Sequence, residues 1–134
     1  MFISREELLS ATVLPEEVVE LPELGPDRQV KMRGLTGAQR DSWEASLIKY
    51  KGNDRQINAR NARARLVSMS AVDAAGKRLF STADVEALGN LSSKIIQRMY
   101  EAALRVSGVT DEDVEELTKN SDDAPSGDSG SDSL

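Results

Sequence analysis

Apolar residues along this chain recur with helical spacing in some segments and with strand spacing in others, and turn residues separate them at short intervals. Ser4 followed by Glu7 has the spacing of a capping box, which predicts a short helix to about Ala11 with Leu8 and Leu9 as its apolar residues. Residues 16–21 and 29–33 are strand-like, and the turn-rich Pro22-Glu23-Leu24-Gly25-Pro26-Asp27 between them predicts a hairpin. Thr36 with Gln39 is a second capping box. Behind it Trp43, Leu47 and Tyr50 recur at i, i+4 and i+7, which predicts a helix ending near Gly52 with all three facing the core.

A third helix is expected over residues 54–70, with Ala59, Ala62, Leu66 and Met69 on one stripe and Arg60 and Arg63 turned away from it. Asp73-Ala74-Ala75-Gly76-Lys77 breaks that pattern and predicts a tight turn in which Gly76 takes a positive φ. Ser81 and Asp84 restart a short helix that stops at Leu88-Gly89. Residues 92–107 carry the clearest period, with Ile95, Met99, Ala103 and Val106 spaced by four, four and three and widened by Ile96 and Tyr100. Gly108 ends that helix. Thr110 then caps a last one to about Asn120, whose first turn holds Asp111, Glu112 and Asp113 where the helix dipole favours negative charge. The fold class expected is mainly α: a small helical domain with a short N-terminal β-hairpin and a disordered acidic C-terminal tail.

Composition sharpens this picture chiefly by what is missing. The 134 residues include no Cys and no His, which removes disulfides, thiolate nucleophiles, imidazole bases and the usual zinc ligands. Leu, Ile, Val and Phe together number only 31, so the core is thin and some apolar surface is expected to be completed by another chain, as in a homo-oligomer. Arg5, Glu6 and Glu7 interrupt the stretch where a signal peptide needs an apolar run, and no segment has the length of a membrane span. A soluble intracellular protein with no membrane partner is the expectation.

The net charge of −6 is unevenly spread. Residues 49–65 contain six basic side chains against Asp54, whereas residues 111–134 contain nine acidic ones against Lys119. The last fourteen residues hold four Asp among Ser, Gly, Ala, Pro and one Leu, too little apolar surface to offset the entropy of ordering. Residues 1–120 therefore read as the domain and 121–134 as a disordered acidic tail.

None of the sharper chemical motifs is complete. The segment from Asp73 to Asp84 has the length of a calcium loop, but Ala75 and Lys77 occupy ligand positions and the last residue is Asp rather than Glu. The run Asn58-Ala59-Arg60-Asn61-Ala62-Arg63-Ala64-Arg65 could contact phosphates, yet a pI near 4.7 and the absence of interleaved aromatics argue for a solvated face or one that docks an acidic protein, with no nucleic acid expected. Adjacent pairs such as Glu16 and Glu17, or Glu115 and Glu116, point in different directions, and no glycine cluster forms a phosphate loop. No catalytic, metal or cofactor residue is assigned, and an enzyme is not expected. Trp43, Leu47 and Tyr50, and likewise Ile95, Met99 and Ala103, are first of all core stripes.

From Leu21 to Asn120 the order of features resembles the tail assembly chaperones of long-tailed bacteriophages. The elements that carry the resemblance are Leu21-Pro22-Glu23-Leu24-Gly25, then Val30-Lys31-Met32-Arg33-Gly34-Leu35-Thr36-Gly37, then Asn61-Ala62-Arg63-Ala64-Arg65-Leu66-Val67. The most specific is Asp73-Ala74-Ala75-Gly76-Lys77-Arg78-Leu79-Phe80-Ser81 with Asp84 and Leu88, followed by residues 104–108 and the close Glu115-Glu116-Leu117-Thr118-Lys119-Asn120. Asp73, Gly76, Phe80, Asp84 and Leu88 are the structural residues of that motif. The resemblance implies a non-enzymatic factor, made in the cytoplasm of the infected bacterium and absent from the mature virion. It would bind the tape measure protein, keep it soluble and help recruit the major tail tube protein, with a frameshifted longer form of itself as a further partner. Trp43, Leu47, Tyr50, Ile96 and Tyr100 are the candidate contact residues, with Arg60 and Arg63 steering the partner. The alternatives are a permanent small tail or connector protein of the virion, and a small nucleic-acid-binding regulator.

Overall fold

The computed structural model describes residues 1–122. Its elements are α1 (Arg5–Leu9), β1 (Glu16–Glu20), β2 (Gln29–Arg33), α2 (Gly37–Ser46), β3 (Ile48–Lys51), β4 (Asp54–Ile57), α3 (Ala62–Ser70), β5 (Ala71–Val72), α4 (Val85–Gly89), α5 (Ser93–Ser107) and α6 (Asp111–Asp122). Residues 123–134, most of the expected tail, lie outside the described residues; Ser121 and Asp122 belong to the backbone of α6.

β1 and β2 form the expected antiparallel hairpin, Glu16 opposite Arg33 and Glu20 opposite Gln29, and the short β5 adds to β2 as a third strand. The sheet turns Val19, Val30 and Met32 inward, and α5 lies against β1 and β2. On its other side α5 meets α3, where Ala64, Ala102 and Ala103 keep the helices slim at the centre of the domain. Leu66, Val67, Ala71 and Met32 are fully enclosed there. The hydroxyls buried with them are paired: Ser70 donates to the Arg33 carbonyl at 2.8 Å and Ser68 to the Arg65 carbonyl at 2.8 Å.

The sheet and α5 approach so closely at Gly34 that a β-carbon there would run into the Val106 carbonyl oxygen and lie 3.2 Å from Pro15 Cδ. The end of α5 is the expected glycine stop: Gly108 is left-handed at φ 68°, and the Val109 N–H closes on the Leu104 carbonyl at 3.0 Å. The capping boxes at Ser4 with Glu7, Thr36 with Gln39 and Ser81 with Asp84 are all formed. Thr110 and Asp113 make the same reciprocal pair at the start of α6.

The mainly α expectation is corrected between Leu47 and Asn61. The second helix stops at Ser46 instead of continuing to Gly52, and the third begins at Ala62 instead of Asp54. Between them β3 and β4 pair as a second hairpin around Gly52, with Ile48 opposite Ile57 and Lys51 opposite Asp54. The physical reason lies at the end of α2, where the Ser46 carbonyl accepts from the side chains of Asn58 and Arg65, both at 3.2 Å. These groups cap the helix from distant sequence positions. Asn61, left-handed at φ 54°, fixes the start of α3. The result is a small domain of helices and strands rather than a helical one with a single hairpin.

Candidate interaction surfaces

The stripe Trp43, Leu47 and Tyr50 is divided by this rearrangement. Trp43 and Leu47 are core residues, Trp43 donating its indole N–H to the Ala62 carbonyl at 3.4 Å, while Tyr50 stands exposed on β3. Ile96 is buried on α5. Tyr100, half-buried beside it in the chain, lies under the Arg63 guanidinium at 5.5 Å, and burial pushes its phenol pKa up.

Two arginines of the basic run are engaged by neighbouring groups, Arg60 at the surface and Arg65 partly buried. Arg60 pairs with Glu86 at 2.7 Å, and the Asn61 amide bonds the same carboxylate, so the Arg60 hydrogen bond and charge hold Glu86 below the usual carboxylate range. Arg65 folds inward to the carbonyls of Ser46, Asn58 and Arg60. α6, with its acidic first turn, packs against β4 of the basic hairpin. The described part of the acidic segment and the basic hairpin are thus neighbours in space.

One apolar concavity is not announced by the periodicity of the sequence. A groove of about 490 Å³ is lined by β1, β2, β5, the two loops beside them and the start of α5. Phe80, Ile95 and Met99 form its deeper wall. On its rim Val18, Leu24, Leu79 and Leu91 remain 53%, 59%, 47% and 41% exposed. Isolated exposed aliphatic residues are ordinary, but four around one concavity make it the candidate interaction surface.

Both sides of the rim are held by hydrogen bonds. Arg98 on α5 grips Glu23 through two bonds of 2.6 Å and so positions the turn that carries Leu24. Across the groove, the Asp73 carboxylate accepts the N–H groups of Ala75 and Lys77, and Gly76 takes the expected positive φ, 86°. Arg33 reaches the Gly76 carbonyl at 2.8 Å, and the Leu79 N–H bonds the Ala71 carbonyl at 3.0 Å. Of the motif residues, Asp73 and Phe80 line the groove, the Asp84 carboxylate accepts the Ser81 N–H ahead of α4, and Leu88 is the buried residue of α4.

Among the described residues Lys31 and Asp73 are the titratable groups that line the groove, whose other lining is almost entirely apolar, so the concavity is equipped to hold apolar side chains. Among the described residues no group of three or more acidic side chains is gathered as a metal site, and no helix is long and apolar enough to cross a membrane. The signal for the groove was present in the sequence as three leucines at turn positions and one strand valine on the outward phase. Leu24 lies between Pro22 and Gly25, Leu79 follows the Gly76 turn, Leu91 follows Gly89, and Val18 stands out of phase with Val19.

No protein-family profile matches the chain, and no curated protein matches it in sequence. In fold it is similar to the solved tail assembly chaperone of bacteriophage HK97, with a TM-score of 0.55 and 18% sequence identity, over 79% of this chain and 95% of that one.

Proposed function

We propose that the protein is a bacteriophage tail assembly chaperone that binds the tape measure protein, keeps its apolar helical segments soluble and helps bring the major tail tube protein to it. The observation that carries this reading is the fold shared with the HK97 tail assembly chaperone over nearly the whole of that chain. The order of sequence features from Leu21 to Asn120 supports it independently. A holdase needs a reversible apolar contact surface rather than a positioned catalytic cleft, and the Val18, Leu24, Leu79 and Leu91 groove suits that requirement. In this role the chain is non-enzymatic, works in the host bacterial cytoplasm, has a frameshifted longer form as a further partner and is absent from the finished particle.

Engagement of Arg60 by Glu86 and of Arg65 by main-chain carbonyls weighs against a nucleic-acid role for the arginine-rich segment. The test is co-expression with the tape measure protein of the same phage. Its soluble yield should rise and the two should co-purify, whereas an unchanged yield overturns the proposal. Mass spectrometry of purified virions should find no copies of this chain; stoichiometric copies identify a permanent tail component instead.

A further inference from the structure

The β3–β4 hairpin presents three cations that the rest of the domain leaves unpaired. Its register places Tyr50 opposite Arg55 on one face, and Lys49 and Lys51, opposite Gln56 and Asp54, on the other. Lys49, Lys51 and Arg55 are exposed, and none of the ion pairs among the described residues uses them. Asp54 is the hairpin's one carboxylate, so three cations against it leave a charge of +2. Residues 121–134 have the complementary composition, with Asp122, Asp123, Asp128 and Asp132 and no Lys or Arg. α6 links the two. Asp113 in its first turn lies within electrostatic reach of Arg40, near the start of α2, while the helix packs against β4, whose base is bonded to the end of α2. α6 thus runs from the beginning of α2 towards the hairpin.

We infer that the acidic segment 123–134 lies over the basic hairpin of its own chain, with its aspartates against Lys49, Lys51 and Arg55. Charge complementarity and the tether through α6 select this occupant. A single exposed ion pair contributes little, but a tethered segment meets several cations at once, and the tether raises its effective concentration to the millimolar range. Length is sufficient: twelve extended residues span up to about 40 Å, against about 14 Å for a four-residue strand, so the segment can meet the cations of both faces. Apart from Ala124, Pro125 and Leu134 the segment is Asp, Ser and Gly, so the contact is polar and salt screens it. The hairpin is then covered by the chain itself, and another polyanion reaches it only by displacing the segment. The inference does not depend on a role in phage tail assembly.

With no Cys in the sequence, S131C gives the full chain a single attachment point for a nitroxide spin label, and the amide NMR signals of the domain report what the label approaches. At about 50 mM salt the signals of residues 49–56 should lose at least half their intensity, and at about 500 mM they should recover it. The loss should also vanish with D122N, D123N, D128N and D132N together, and with K49Q, K51Q and R55Q together, the latter set at exposed positions. Full intensity at low salt overturns the proposal, as does a loss that survives either set of substitutions or that centres away from the hairpin. A mixture with isotope-labelled chains that carry no nitroxide separates the two ways of docking. Those chains should keep full intensity, and a loss in them shows the segment on a neighbouring molecule, which overturns the assignment to its own hairpin. Hairpin signals that ignore the nitroxide but move when a short oligonucleotide is added at low salt identify a nucleic-acid surface instead.

Discussion

Arg98 and Glu23 lie 75 positions apart in sequence and form a two-bond ion pair, both bonds 2.6 Å long, that ties α5 to the turn between β1 and β2. Arg98 also donates to the Glu20 carbonyl at 3.3 Å, so one guanidinium holds both the end of β1 and the turn beyond it. The Arg98 hydrogen bond, with the residue's own backbone N–H, lowers the Glu23 pKa from 4.5 to about 2.

A group whose pKa is depressed in the folded state stabilises that state above its unfolded pKa and stops doing so as pH falls through the folded value. E23Q should therefore melt below the unaltered chain at neutral pH, and the gap should close between about pH 4.5 and 2. Melting curves followed by circular dichroism at stepped pH check this; a gap that stays constant down to pH 2 contradicts it.

Gly34 is required by space. G34A must displace the Val106 carbonyl or the sheet and should cost about 1–3 kcal/mol, read from urea denaturation. Gly37, which opens α2 with nothing within 4 Å of a β-carbon, provides the contrast: G37A should be neutral or slightly stabilising.

Trp43 is the sole tryptophan and is 2% exposed. Its emission should be that of a buried indole and shift to the red in one step on unfolding. W43A, which leaves a large cavity between α2 and α3, should lose about 3–5 kcal/mol in chemical denaturation followed by circular dichroism.

Asn61 combines a left-handed backbone with a side-chain bond to Glu86. N61V cannot take that backbone without strain and should destabilise by about 1–2 kcal/mol, whereas N61G keeps the conformation and loses only the amide contact. Thermal melts should therefore rank N61G above N61V.

Local rules were sufficient wherever the determining groups sit within four residues of one another. The boxes at Ser4, Thr36 and Ser81, the hairpin around Pro22 and Gly25, the Gly76 turn and the long α5 stripe are all of this kind. The reading failed between Leu47 and Asn61 because Trp43, Leu47 and Tyr50 happen to fit a helical period, while the groups that stop α2 are Asn58 and Arg65. The Gly52-Asn53 pair was the local sign of a hairpin. The groove was hidden for a different reason. Its rim is assembled from Val18 on β1 and single leucines in three separate loops, which no periodicity can register, and only the packing of α5 on the sheet brings them together.

The β3–β4 hairpin has one further consequence. Its base is secured by the Asn58 N–H to the Leu47 carbonyl at 2.7 Å, by Arg65 and by α6, whereas residues 51–56 at its tip are exposed and a β-carbon on Gly52 would meet nothing within 4 Å. Loop tips of this kind accept insertions. A short peptide tag or a dye placed between Gly52 and Asn53 would ride on the molecule as an external handle, leaving both ends of the chain unmodified.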